Sequence, residues 1–241
     1  MNKIELKNVK NVLLLGATGG IGNAILNYLL EENSTLYIYT LSRSPVEYPR
    51  VHNTIASTIN EASLSDFISS IPTVKFDLII NTIGYLENEH GGPEKSLRDI
   101  SEEKLIEYFR TNAILTPLLA KVVRNNLSSE GFAFVALSAM VGSIGENELG
   151  GWYGYRASKS ALNAFLKNIA LEWGRTNKRS LVLAIHPGTT QTRLSEKFNS
   201  FVTHKVHSPN EAAANICNVI FSSSFSMTGN FLNWDGRVID W

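Results

Sequence analysis

Tyr155 and Lys159 stand four residues apart in Trp152-Tyr153-Gly154-Tyr155-Arg156-Ala157-Ser158-Lys159. On a helix that spacing places both side chains on one face. A phenol, with a reference pKa of about 10, is a poor acid or base at neutral pH. A neighbouring ammonium stabilises the phenolate, so the pair can move a proton to or from a carbonyl oxygen. Tyr153 meets Ala157 at the same spacing and lacks the cation. Taken alone, the spacing also suits an ordinary amphipathic helix, so the chemistry needs a second feature.

That feature is Gly16-Ala17-Thr18-Gly19-Gly20-Ile21-Gly22. Glycine permits positive φ and removes the Cβ that would keep a phosphate from the backbone. A helix opening behind such a loop offers unpaired N–H groups and partial positive charge to a pyrophosphate. Gly16, Thr18, Gly19, Gly20, Ile21 and Gly22 are therefore candidate nucleotide contacts, with a plain strand-to-helix turn as the alternative. An acidic residue ending the second strand would hold a ribose 2′-hydroxyl. Here Thr40-Leu41-Ser42-Arg43-Ser44 has no carboxylate. Ser42 and Arg43 can meet a 2′-phosphate, which favours NADP(H) over NAD(H), while a merely solvated Arg43 is the other possibility.

The elements that must position these groups alternate in period. Val12–Leu15, Thr35–Leu41, Asn53–Thr58, Phe76–Ile80, Phe132–Leu137, Leu181–Ile185 and a short run near Phe231 read as strands. Gly20–Glu32, Ser63–Ser70, Ser101 to about Leu127, Gly154–Trp173 and Pro209 to about Phe221 read as helices, with Pro117 a candidate kink. Strands separated by helices imply an α/β fold: one doubly wound, Rossmann-like domain over residues 1–241, with a parallel sheet of about seven strands covered on both faces.

The glycine loop and the Tyr/Lys pair together resemble the short-chain dehydrogenase/reductase family over nearly the whole chain. Asn81-Thr82-Ile83-Gly84 stands where that family has an Asn-Asn-Ala-Gly-like stretch, with Thr82 and Ile83 departing from it. Asn112 matches the asparagine that holds a water of the proton relay. Pro187-Gly188-Thr189-Thr190-Gln191-Thr192 is similar to the segment around the nicotinamide end. Ser138 matches the substrate-orienting serine, although Ser138-Ala139-Met140-Val141-Gly142 is one residue longer than the usual Ser-x-x-Gly and leaves Ser143 open. Ser57-Thr58-Ile59-Asn60 lacks the family's adenine-binding Asp. The stretch Gly142–Arg156 and the terminal Asn233-Trp234-Asp235-Gly236 look most like the C-factor-like and sniffer-like carbonyl reductases.

The resemblance implies an oxidoreductase for a carbonyl/alcohol pair. Asn112, Ser138, Tyr155 and Lys159 would be catalytic, and Tyr155 and Lys159 would also touch the cofactor. Asn81, Gly84, Pro187, Gly188, Thr189 and Thr192 would be further cofactor contacts. It also implies a homodimer or homotetramer through the Ser101–Leu127 and Gly154–Trp173 helices, with Leu115, Leu119, Phe165 and Ile169 as apolar contacts. The pocket is expected around Leu86–Pro93, Met140–Trp152 and Thr190–Phe201. A nucleotide-binding regulator with little turnover, as in C-factor-like relatives, and an epimerase or lyase are the competing classes.

Composition sets the remaining bounds. Lys+Arg 22 balances Asp+Glu 22, which argues against nucleic-acid and membrane-surface partners. No apolar run approaches the roughly 20 residues needed to span a bilayer, and the charged opening residues do not suit a signal peptide. The single Cys217 has no partner within the chain and sits in an apolar setting expected to bury it. His52, His90, His186, His204 and His207 show no metal spacing. A cytoplasmic globular protein is expected.

Overall fold

A computed structural model describes residues 2–87, 91–196 and 205–241. Its sheet is built from β1 (Asn11–Leu15), β2 (Tyr37–Ser42), β3 (Val51–Ile55), β4 (Leu78–Asn81), β5 (Phe132–Leu137), β6 (Ser180–His186) and β7 (Asn230–Asn233). The strands pair in the order β3-β2-β1-β4-β5-β6-β7, all parallel. Near-continuous apolar runs such as Val12-Leu13-Leu14-Leu15 are what a sheet covered on both faces requires. Alternate residues serve the two layers. Val12 and Leu14 pack with α1 (Gly20–Glu32) and α6 (Pro209–Ser222), where Cys217 is fully buried. Leu13 and Leu15 pack with α2 (Glu61–Ser70), α4 (Leu115–Val123) and α5 (Tyr153–Thr176).

The expected long helix over 101–127 is interrupted. α3 (Glu102–Tyr108) passes through a π-helical turn over Phe109–Ile114 into α4. Pro117 explains the break. It brings no N–H to the carbonyl four residues back, that of Ala113, and its ring would clash there, so the backbone widens ahead of it. Leu115 and Leu119, expected as subunit contacts, are buried in the sheet-facing core. The weak third strand forms two residues earlier than its β-branched run suggests, paired Ile38 to Val51 and Ser42 to Ile55.

Strand order reverses between β1 and β4, so the connections from these two strands leave in opposite directions. A crevice then opens beyond their carboxyl ends, where open α/β sheets bind ligands. Gly16, Thr82, Ser138 and Pro187 directly follow the ends of β1, β4, β5 and β6. No helix among the described residues is long and apolar enough to cross a membrane.

Candidate active site

Glycine is needed at the end of β1 for steric reasons. Gly16 has φ +86°, and a Cβ there would overlap the Thr82 hydroxyl. A Cβ on Gly22 would overlap the Gly16 carbonyl, so the first turn of α1 seats directly on the loop. Thr82, a departure from the family pattern, donates from Oγ1 to the Leu15 carbonyl at 2.9 Å, tying the end of β4 to that of β1. Gly19 caps α1 without any side-chain hydrogen bond, while Thr18 is exposed beside it. The result is a side-chain-free cradle at a helix N-terminus, with Gly20 and Ile21 in its first turn, which fits a pyrophosphate. On its far side a Gly20 Cβ would lie 2.8 Å from Thr192 Cγ2, so the segment after β6 closes against the cradle.

That segment is shaped by Gly188, φ +76°, which packs against His207 and Trp234. Thr189 accepts from the His207 N–H, and Gln191 donates to the His207 carbonyl, both at 2.8 Å. Residues 88–90 and 197–201 of the expected pocket walls, and with them His90 and also His204, lie outside the described residues.

Asn81 is buried and turned inward. Its Nδ2 donates to Thr116 Oγ1 and its Oδ1 accepts from the Ile83 N–H, both at 3.0 Å, so it shapes the strip leading to Gly84. A Cβ on Gly84 would come within ordinary contact, 3.9 Å, of both Lys159 Nζ and Asn112 Oδ1. Asn112 lies in the π-helical turn, and its side chain is a clamp. Oδ1 accepts from Tyr85 N–H at 2.7 Å, while Nδ2 donates to the Tyr85 carbonyl and to Ser158 Oγ. Its amide thus joins the strip after β4 to α5 and is not itself turned toward solvent.

On α5, Tyr155 is 8% exposed and Lys159 3%, whereas Tyr153 is 37% exposed. Lys159 Nζ donates to the Leu137 carbonyl at 2.8 Å and lies 5.9 Å from the Tyr155 ring centroid. Burial pushes the ammonium down to about 8 and pushes the phenol above its ordinary value. The lowered phenol expected from the four-residue spacing is not what this geometry yields. Desolvation outweighs the attraction because Lys159 faces the backbone of β5. Tyr155 packs with Leu86 and Tyr108, and Ala139 and Trp152 pack against that cluster.

The two candidate serines separate. Ser143 Oγ accepts the Glu146 N–H at 3.2 Å and caps a turn. Ser138, next to the Lys159-bonded Leu137, donates from Oγ to Asn163 Oδ1 at 2.7 Å. Asn163 continues the Tyr155–Lys159 face of α5 by one more turn, a spacing the sequence contained but whose partner only the fold reveals. Glu94 was also hidden. It is 1% exposed, and its Oε2 accepts the Gly154 N–H at 3.1 Å while its own carbonyl accepts the Trp152 N–H. A carboxylate there satisfies a donor of the first turn of α5 and complements the helix dipole.

Beyond β2, Arg43 is exposed, but Ser42 is buried with its hydroxyl committed to the Ser44 carbonyl at 2.6 Å. Ser42 therefore shapes the loop and offers no free hydroxyl. Among the described residues no group of three or more His, Cys, Asp or Glu could hold a metal ion.

Residues 10–203 match the family model described as short chain dehydrogenase. Among curated proteins, a 1-hydroxy-2-glutathionyl-2-methyl-3-butene dehydrogenase of Rhodococcus sp. (strain AD45) is 29% identical over 170 residues, 70% of each chain. A tropinone reductase homolog of Arabidopsis thaliana is 24% identical over 94% of this chain and 91% of its own. Among solved structures, the carbonyl reductase Sniffer of D. melanogaster superposes with a TM-score of 0.85 at 21% identity, covering 97% of this chain and 100% of that one. The NADPH-bound carbonyl reductase from chicken fatty liver gives 0.82 at 22% identity, over 97% and 99%. At these identities the superpositions establish the fold.

Proposed function

Since the chain belongs to the short-chain dehydrogenase family, whose members are oxidoreductases that bind a nicotinamide cofactor, we propose that residues 1–241 act as one NADP(H)-binding domain that interconverts a carbonyl and an alcohol. The observation that carries this reading is the buried Tyr155–Lys159 face of α5, set against Leu137 and Ser138 at the end of β5. The bound nicotinamide supplies the hydride. The chain's own residues bind, orient and handle the proton. The backbone N–H groups of Thr18, Gly20, Ile21 and Gly22 take the pyrophosphate, while that of Gly19 holds the loop to the Gly16 carbonyl. Arg43 takes the 2′-phosphate, and Gly84 with Pro187, Gly188, Thr189 and Thr192 line the cofactor's path. In reduction, Tyr155 gives its phenolic proton to the carbonyl oxygen. A phenol held protonated by burial is the donor that this direction requires. Lys159 stabilises the phenolate that remains, Ser138 orients the oxygen once its hydroxyl turns from Asn163 Oδ1 toward the substrate, and Asn112 keeps the π-helical turn and its water path in place. The substrate is a small-molecule carbonyl, and the assembly is a homodimer or homotetramer.

The test compares Tyr155→Phe with Tyr153→Phe on a carbonyl panel, following NADPH oxidation. Turnover should fall about 100-fold or more in Tyr155→Phe, the scale of positioned acid–base catalysis, and change little in Tyr153→Phe. Near-normal turnover in Tyr155→Phe would overturn the mechanism.

A further inference from the structure

Asn53 is central to the loop after β2, although it sits on the neighbouring strand β3, opposite Thr40. Its Oδ1 accepts the Val46 N–H at 3.1 Å. Only the oxygen of the amide can accept, so the nitrogen must face the other way. There Nδ2 donates to Ser42 Oγ at 2.7 Å and to the Thr40 carbonyl at 3.4 Å. The Ser42 hydroxyl receives that N–H and sends its own hydrogen to the Ser44 carbonyl. One amide thereby sets the hydrogen-bond direction of the loop. Arg43 lies between two residues tied by a single hydroxyl, and the loop is pinned again at Val46, whose side chain enters the core layer beneath.

We propose that Asn53 is the positioning residue for nucleotide discrimination: by fixing the Ser42–Val46 loop from the adjacent strand, it holds the backbone of Arg43 where the guanidinium can meet a 2′-phosphate. The proposal rests on the NADP(H) reading above and assigns its geometric cause. An arginine on a loose loop keeps its charge but must be ordered on binding, so part of the interaction is lost to conformational entropy. A 2′-hydroxyl makes no such demand. Loss of Asn53 should therefore weaken one nucleotide selectively.

The experiment is fluorescence titration of the whole chain with NADPH and NADH, repeated with 2′,5′-ADP and 5′-AMP as competitors, in Asn53→Leu, Arg43→Ala and the double variant. Asn53→Leu should weaken NADPH and 2′,5′-ADP about tenfold, within the range for a charged hydrogen bond, and NADH and 5′-AMP less than about twofold. On the Arg43→Ala background, the added Asn53→Leu should have little further effect on NADPH. Asn53→Asp, close in size, serves if the leucine variant does not fold. It keeps an acceptor for Val46 but turns an acceptor toward Ser42, drawing that hydrogen from Ser44, and should also weaken NADPH selectively. Equal weakening of both nucleotides, or of neither, overturns the proposal. An NADPH-to-NADH ratio that Arg43→Ala leaves unchanged removes the 2′-phosphate reading itself. A ratio lowered by Arg43→Ala but not by either Asn53 variant removes only the role of Asn53.

Discussion

Lys159 meets the Leu137 carbonyl and, among the described residues, no carboxylate, so its ammonium is buried without an opposing charge. Its pKa falls from 10.5 to about 8 for that reason. Below pH 8 both folded and unfolded chains carry the proton, and the folded one bears the full desolvation cost. Between pH 8 and 10.5 the folded chain has released a proton that the unfolded chain keeps, so stability rises with pH across this window. Lys159→Met should therefore stabilise the protein at pH 7. The gain is about 3 kcal/mol from the shift, less about 1 kcal/mol for the carbonyl left without a donor. Calorimetric melting at pH 7 and at pH 9.5 checks this, and an equal gain at both values would refute it. The same substitution should remove turnover, so stability and activity oppose each other at this position. Tyr155 and Lys159 were legible as a pair because a helix converts spacing into adjacency. The direction of the phenol's shift was not, because it depends on burial and on where the ammonium points.

Positioning Tyr155 falls to the first turn of α5, and that turn depends on a residue sixty positions away. Trp152 precedes it in a left-handed conformation, φ +52°, and gives no side-chain cap. Glu94 supplies the missing acceptor at Gly154. Glu94→Ala should cost about 1–2 kcal/mol, as for a lost N-cap, and lower turnover, while Glu94→Gln should recover much of both. Thermal melts alongside steady-state rates would show it, and an alanine variant as stable as the parent would count against the cap. In the cradle, Gly22→Ala forces a methyl into the Gly16 carbonyl. Nucleotide binding should then fall below detection in calorimetric titration, whereas normal affinity would mean that the turn can open. Spacing revealed these glycines because Gly22 seats on Gly16 six residues back, although the contacts of Gly16 with Thr82 and of Gly20 with Thr192 only the fold supplies. Glu94, Asn53 and Asn163 were opaque because their partners come from other strands and helices, at separations no periodicity records. The π-helical turn was half visible: Pro117 announced a disturbance, but not that it would fall ahead of the proline and contain Asn112.

Across the molecule, strand number and alternation were readable because each element carries its own apolar period. The lateral order of strands is a property of their packing and the crossover rule rather than of any one segment. Phe165 on α5 and Ile106 on α3 remain exposed, in contrast to the inward-facing Leu115 and Leu119. A two-fold assembly would cover such residues. Light scattering at micromolar concentration should give a dimer or tetramer mass, and Phe165→Glu should shift it toward the monomer; a monomeric parent would contradict this. The sheet order also has a temporal meaning. Beyond β4, each of β5, β6 and β7 lies beside the strand synthesised just before it, so that wing can extend outward as the polypeptide emerges from the ribosome. Leu6 and Val9 can be fastened early, through their carbonyls to Asn33, but residues 2 and 3 cannot: the Asn2 carbonyl accepts the Phe225 N–H and Lys3 bridges to Ser224, beyond α6. Residues 2 and 3 therefore wait, open to chaperones, through the whole interval between the synthesis of β1 and the emergence of the residues beyond α6.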